Sequence, residues 1–290
     1  MRKILITGKN SYVGNAFIEW VDKNNENDFT IESVGMKNEE WKQKNLNNYD
    51  TIIHVAGIAH VSTDKKLEEL YYEVNTKLTL QVAEKAKRNG VKNFVFISSM
   101  IVFGDAKSVQ VIDSNTVPNP TNFYGDSKLK AEIGLKKLET PEFQISIIRP
   151  PMIYGENSKG NYSFLSKFAN LTPIFPDYNN KRSMIHIDNF SNFLLKIVKG
   201  EKRGIFHPQN KEYCSTTSLV VKINKFNNKK VFTTKVFNFI IPYLVKKNSY
   251  FNKVFGNFSY SKDMSIFEED YCVRSFDESI LLTEMKKSKK

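Results

Sequence analysis

Tyr124 and Lys128, within NFYGDSKLKAE (Asn122 to Glu132), lie four residues apart. On a helix that spacing puts both side chains on one face. A tyrosine phenol ordinarily ionises near pH ~10. A neighbouring ammonium favours the phenolate and brings it towards the working range, where it can protonate a carbonyl oxygen as hydride reaches the carbon, or run in reverse. The same pair also fits a plain helix start with a surface lysine. A second candidate is Ser99 in ISSMIVFG (Ile97 to Gly104), placed after an apolar run, where its hydroxyl could bond the same oxygen or merely cap backbone. The third is the loop in LITGKNSYVG (Leu5 to Gly14). Gly8 and Gly14 stand where a phosphate-binding loop keeps its outer glycines, but Ser11 replaces the middle one. Such a loop needs close backbone approach and amides at a helix start; alone, it reads equally as an ordinary turn.

These residues need elements to position them. KILIT (Lys3–Thr7), FTIESV (Phe29–Val34), TIIHVA (Thr51–Ala56), FVFIS (Phe94–Ser98) and ISIIR (Ile145–Arg149) are short apolar runs alternating with helical patterns. The helices are predicted over about 13–21, about 66–89 (ending at Gly90) and from near Tyr124. Apolar strands between helices predict a doubly wound α/β fold with a parallel sheet covered on both faces, its ligands at the carboxyl ends of the strands. Between Gly35 and Thr51 there is little room for a further helix and strand, so the adenosine end of a nucleotide pocket is expected to be abbreviated. The pattern becomes irregular after RPPMIYG, which predicts a boundary near Pro150: residues 1–150 as the nucleotide-binding domain and 151–290 as a smaller C-terminal lobe interleaved with it.

Composition narrows the class. The chain has 290 residues, 40% hydrophobic and 26% charged, as in a folded globular protein. Its net charge of +12 is spread along a Lys- and Asn-rich sequence, with one dense tract in the terminal KKSKK. No nucleic-acid signature accompanies it, so a solvated basic surface suited to anionic small molecules is expected. The two cysteines, Cys214 and Cys272, make no disulfide framework, and the start MRKILITG enters a strand at once; a cytoplasmic protein without a signal peptide or membrane span is expected. His54, His60, His186 and His207 are scattered, so no metal site is predicted. FNFIIPYLV (Phe237–Val245) is expected to be buried in the C-terminal lobe, with contact to a partner or membrane surface as the alternative.

Order carries more than any single motif. TGKNSYVG, HVAG (His54–Gly57), VNTKLTLQVA (Val74–Ala83), SSMIVFG, YGDSK, RPPMIYG (Arg149–Gly155) and RSMIHIDN (Arg182–Asn189) resemble, in sequence order, the extended short-chain dehydrogenase/reductases of the nucleotide-sugar epimerase/dehydratase family. The resemblance implies a Rossmann domain for NAD or NADP and a C-terminal lobe for a nucleoside-diphosphate sugar, in an enzyme that is often a homodimer. It implies Tyr124, Lys128 and Ser99 as the catalytic residues. Gly8, Asn10, Ser11, Tyr12, Val13, Gly14, Ala56, Gly57, Asn75, Ser98 and Pro150 would line or support the cofactor. Met100, Arg182, His60 and Tyr154 would lie on the substrate, Arg182 at its diphosphate.

The departures from the family are informative. Met152 stands where many relatives carry an Asn, and Phe103 replaces a usual Tyr. Dehydratases of the family follow a Thr with Asp and Glu; here Met100 and Ile101 follow Ser99, and neither transfers a proton. That leaves hydride chemistry at a sugar carbon, as a reductase or a 4-epimerase. NAD-preferring sites put an acid on the ribose 2′-hydroxyl near the end of the second strand. Lys37 reaches that place here, and Glu32 comes too early, which favours NADP. The sequence also resembles bacterial proteins making N-acetylated deoxysugars for surface polysaccharides, so the expectation is NADPH-dependent reduction of a UDP-4-keto-6-deoxy-N-acetylhexosamine. The rivals are a UDP-hexose or UDP-N-acetylhexosamine 4-epimerase holding NAD, and a nucleotide-sensing protein without activity.

Overall fold

The computed structural model describes residues 1–58, 64–107, 109–158 and 160–285. The chain divides into two compact units: Met1–Phe103 with Val117–Pro150 and Ser191–Pro208, and Gly104–Thr116 with Pro151–Phe190 and Gln209–Lys290. The expected boundary at Pro150 is therefore crossed twice more. Gly104–Thr116 belongs with the later residues, and Ser191–Pro208 returns to the first unit.

The first unit is a six-stranded, wholly parallel sheet. Its elements are β1 (Arg2–Thr7), α1 (Tyr12–Lys23), β2 (Phe29–Val34), β3 (Thr51–His54), α2 (Leu78–Arg88), β4 (Asn93–Ile97), α3 (Phe123–Leu138), β5 (Gln144–Ile148) and β6 (Gly204–Phe206). The strand order β6-β5-β4-β3-β1-β2 reverses direction of winding at β1, which makes it the doubly wound Rossmann arrangement. β3 and β4 are buried along their whole length, which is why their sequences are almost unbroken apolar runs. On one face Ala83, Ala86 and Ala131 let α2 and α3 approach Leu5, Ile52, Phe94, Phe96 and Ile147 closely. Burying each of the larger side chains contributes roughly 1.5–3 kcal/mol.

The segment between β2 and β3 is abbreviated, as its length predicts. It forms a single helical turn, Glu40–Gln43, and β2 stays at the sheet edge. Trp41, Leu46 and Tyr49 from this segment join the buried core that contains Leu5 and Ile52. The helix predicted over about 66–89 exists but is not uniform: a π-helical stretch, Tyr72–Lys77, precedes α2. Its end is a full Schellman cap. Gly90 takes φ +74°, its amide bonds the Lys87 carbonyl and the Val91 amide bonds that of Ala86.

The second unit holds three two-stranded parallel ladders: Ile174–Pro176 with Phe232–Thr234, Val111–Ile112 with Ser259–Tyr260, and Met152–Tyr154 with Met184–His186. Helices Asn161–Leu171, Thr216–Phe226 and Phe276–Met285 pack around a core containing Tyr154, Tyr162, Phe175, Leu219 and Ile280. FNFIIPYLV departs from expectation. Ile241 is buried, but Phe237, Phe239, Ile240 and Tyr243 are exposed, because only one side of this turn and short helix (Ile241–Lys247) meets the core. Among the described residues no helix is long and apolar enough to cross a membrane.

Candidate active site

The glycine loop runs from the end of β1 into α1. Gly8 takes φ +107°, and a Cβ there would lie 3.0 Å from the Ala56 amide, so the turn needs glycine on both counts. Ser11 is the N-cap of α1: its Oγ accepts from the Gly14 amide at 3.2 Å, which still leaves its O–H able to donate. Thus the residue replacing the middle glycine orders the helix start. Asn10 is exposed at φ +64°, and Tyr12 and Val13 form the first turn of α1. First-turn amides lack acceptors within their own helix, and the helix dipole favours an anion there. The loop is thereby suited to a pyrophosphate.

Behind this loop a buried polar chain connects β1, β3 and the helices. Thr7 Oγ1 lies 2.6 Å from His54 Nδ1, and His54 Nε2 lies 3.0 Å from Thr79 Oγ1. Thr79 donates its proton to the Asn75 carbonyl, so it accepts from Nε2–H, and Nδ1 accepts from Thr7. His54 is therefore a neutral Nε2–H tautomer. Burial, and then the charge of Lys128, hold its pKa down at about 3.

Asn75 stands in the π-helical stretch and is fully buried. Its Oδ1 accepts from the Ile58 amide (2.8 Å), and its Nδ2 donates to Ser127 Oγ (3.1 Å), which donates onward to the Tyr124 carbonyl. Thr76 Oγ1 adds a bond to the Ser127 carbonyl at 2.7 Å. The inserted residue of a π-turn rotates the remainder of its helix, a device frequent at functional sites. Here it aims Asn75, Thr76 and Thr79 into the protein. One side chain thereby fixes both the loop after β3 and the first turn of α3.

That first turn carries Tyr124, buried to 6% exposure. Asn122 caps α3 by accepting from the Gly125 amide at 2.9 Å. Burial pushes the Tyr124 phenol up in pKa, and the nearby Ser99 hydroxyl pulls it back. The structure thus joins two residues twenty-five positions apart that the sequence put forward for one carbonyl oxygen. Lys128, one turn on, is buried; its Nζ donates to the Ile97 carbonyl (3.0 Å) and sits over the Phe96 ring. Burial lowers its pKa to about 8, while the Glu132 charge raises it. A Cβ at Gly57 would stand 2.9 Å from Asn75 Oδ1 and 3.0 Å from Lys128 Nζ, so the loop passes the ammonium with room for no side chain. Gly8, Ala56 and Gly57 leave a cradle of bare backbone suited to a dinucleotide.

The remaining sequence-predicted residues are spread over both units. Met100 is buried in a 3₁₀ turn, its amide on the Pro150 carbonyl at 2.9 Å. Lys37 is exposed just beyond β2. In the second unit Arg182 is half-buried and donates from Nη1 to the Gly256 carbonyl (2.9 Å), with burial lowering its pKa. His60 lies outside the described residues. Ser98 is buried, its hydroxyl bonded to Glu132 Oε1 (2.5 Å). One expectation needs correction. Tyr154 is fully buried, stacked on Tyr162, with its hydroxyl bonded to Ser279 and Asn210; it is a core residue with no surface for substrate.

Sequence reasoning missed the buried pair Arg149–Glu132, a forked contact at 2.6 and 3.1 Å whose acid also receives Ser98. The signal was present: Glu132 lies four residues after Lys128, on the same helix face. Ser127 and Thr79 carried no comparable signal.

Fold and site together define a short-chain dehydrogenase/reductase-type enzyme. Residues 4–207 match the NAD dependent epimerase/dehydratase family, and the chain belongs to it. It is 31% identical over 225 residues to a UDP-glucose 4-epimerase of Vibrio cholerae, spanning 69% of this chain and 68% of the relative. It is 29% identical over 246 residues to the N-acetyl-alpha-D-glucosaminyl-diphospho-ditrans,octacis-undecaprenol 4-epimerase of Escherichia coli O157:H7, spanning 79% and 73%. Among solved structures, a dTDP-4-dehydrorhamnose reductase from Clostridium acetobutylicum superposes with a TM-score of 0.67 at 22% identity, over 80% of this chain and 82% of that one.

Proposed function

We propose that the protein is a cytoplasmic, NADPH-dependent reductase of the C4 keto group of a UDP-4-keto-6-deoxy-N-acetylhexosamine, serving surface polysaccharide synthesis. The observation carrying this reading is the buried Tyr124, with the Ser99 side chain near its phenol and buried Lys128 one helical turn on. A bound nicotinamide dinucleotide supplies the hydride. Tyr124 gives its phenolic proton to the C4 oxygen, and Ser99 holds that phenol and bonds the same oxygen. Lys128 keeps positive charge beside the phenolate left behind. Gly8, Ser11, Val13 and Gly57 hold the cofactor, Met100 faces the sugar, and Arg182 grips the diphosphate with its forked donors.

Preference for NADPH is supported at the β2 end. Glu32, the acid in this strand, is bonded to Tyr49 (2.7 Å) and Lys44 (2.9 Å), which hold its pKa down, Tyr49 foremost. Lys37 instead lines a cavity of about 210 Å³ whose carboxylates, Glu39 and Glu73, are each paired with another lysine (Lys42 and Lys77), so its ammonium suits a 2′-phosphate. The test mixes purified protein with NADPH and the keto-sugar and monitors absorbance of the reduced ring. Stoichiometric loss supports the reading. The second reading, a 4-epimerase, is favoured by the names of the two curated relatives. NAD retained on the purified protein, with interconversion of two UDP-hexoses and no net oxidation of NADPH, would decide for it.

A further inference from the structure

The second unit displays large apolar side chains that the chemistry above leaves unused. Phe164, Phe168 and Leu171 recur at i, i+4 and i+7 on one face of helix Asn161–Leu171, Leu171 being 81% exposed. The rings of Phe164 and Phe168 stack at 6.4 Å, and Phe168 meets buried Phe175 edge-on, so this face adjoins the strand Ile174–Pro176. There Ile174 pairs directly with Phe232 across the ladder, and both are more than half exposed. The chain then turns through Phe237 and Phe239, the latter 83% exposed, tied to the end of that strand by Asn238 Nδ2 on the Asp177 carbonyl (2.7 Å). Helix, ladder and turn are therefore neighbours in the second unit, and each exposes apolar groups.

The charge on this surface has one predominant sign. From Tyr213 through Lys262 the sequence holds nine lysines and no aspartate or glutamate. Lys229, Lys230, Lys235, Lys246 and Lys247 are interleaved with the exposed aromatics. Lys229 Nζ bonds the Asn170 carbonyl (3.0 Å), which puts its charge beside Leu171, while Asp177 lies 4.0 Å from Lys235 at the ladder end. An apolar patch of this extent in water marks an interaction surface.

We propose that this face docks the protein on an anionic lipid bilayer. Aromatic and aliphatic side chains enter the headgroup boundary, and the surrounding lysines meet the lipid phosphates, the combination that holds peripheral proteins on membranes. A second copy is a poorer occupant, because a self-complementary contact sets lysine against lysine. The proposal goes beyond the reaction and stands without it.

Flotation of the full chain tests it, using vesicles of phosphatidylcholine alone or mixed equally with phosphatidylglycerol. The protein is expected to float with the mixed vesicles only, and to be released by raised salt. The doubly exposed variant Phe237→Ser/Phe239→Ser should bind at least about tenfold more weakly, and Lys246→Gln/Lys247→Gln about fivefold more weakly per lysine removed. Both variants should keep the parent's thermal midpoint. Failure of the parent chain to float, or undiminished flotation of both variants, overturns the proposal. So does a concentration-dependent dimer abolished by the aromatic substitutions in the absence of vesicle binding, or retention on single-stranded nucleic acid alone.

Discussion

Among the described residues each unit buries one glutamate, Glu132 and Glu284, and the two are held by different chemistry. In the first unit Glu132 receives a forked Arg149 and the Ser98 hydroxyl. In the second, Glu284 receives neutral donors: the Tyr162 phenol at 3.0 Å, Ser166 at 2.9 and 3.0 Å, and Asn227 at 3.4 Å. The charge of Glu132 reaches Lys128 one turn back and raises its pKa against burial. Arg149 and Ser98 end the strands β5 and β4 beside Pro150 and Ser99. The effect of Glu284 falls on Tyr162, whose phenol is pushed up by burial and then by that charge, and its bonds pin helix Phe276–Met285 to helix Asn161–Leu171. A compensated ion pair tunes an ionisable group of the candidate site; neutral donors around a carboxylate lock a scaffold.

The comparison breaks most easily at its reactive end. Tyr124→Phe should lower keto-sugar reduction by about 10²–10⁴-fold, with an unchanged thermal midpoint because only a hydroxyl is lost. Activity within tenfold of the parent would remove the phenol as proton donor. Next in size is Arg149→Met. It leaves Glu132 buried without its cation, and cutting one partner from such a pair costs about 3–5 kcal/mol. Urea unfolding reads this directly, and a loss under about 1 kcal/mol would mean the pair behaves like an exposed one.

The fold was legible because local pattern and tertiary role agree in the first unit. Strands buried on both faces must be apolar runs, and KILIT, TIIHVA, FVFIS and ISIIR are such runs. Tyr124, Lys128 and Ser99 were legible because order and spacing are written in the chain. What was not legible depends on neighbours distant in sequence. A π-turn adds one residue to a helix and leaves periodicity almost intact, so the bonds by which Asn75 ties the loop after β3 to Ser127 could not be read. Motif position alone does not say whether a tyrosine's hydroxyl is taken by Ser279, nor whether a serine's is taken by Glu132. FNFIIPYLV shows the same limit: its apolarity is plain, but which side meets a core is decided elsewhere.

Acid tests the buried histidine of the first unit. His54 keeps a pKa near 3 in the fold against an ordinary 6.5, so the folded state binds fewer protons between those values. Its contribution is complete above pH 6.5 and is lost as pH falls towards about 3. In urea unfolding from pH 7 downwards, His54→Gln should flatten the decline by up to about 1.4 kcal/mol per pH unit. An unaltered slope would show that His54 protonates as readily folded as unfolded.

The smallest effects sharpen the contrast between the glutamates themselves. Both Glu→Gln changes keep shape and remove charge. Glu132→Gln withdraws the charge that raises Lys128, so the alkaline fall in kcat/KM, expected as Lys128 loses its proton near pH 8, should move to lower pH. Glu284→Gln should leave that profile where it was. Its amide oxygen can still accept from Tyr162 and Ser166, so the cost is the difference between charged and neutral hydrogen bonds, about 1 kcal/mol. The measurement that discriminates is therefore the pH profile rather than stability. A profile displaced equally by both substitutions would mean that the distinction drawn between tuning and locking is false, and that either change merely loosens the protein.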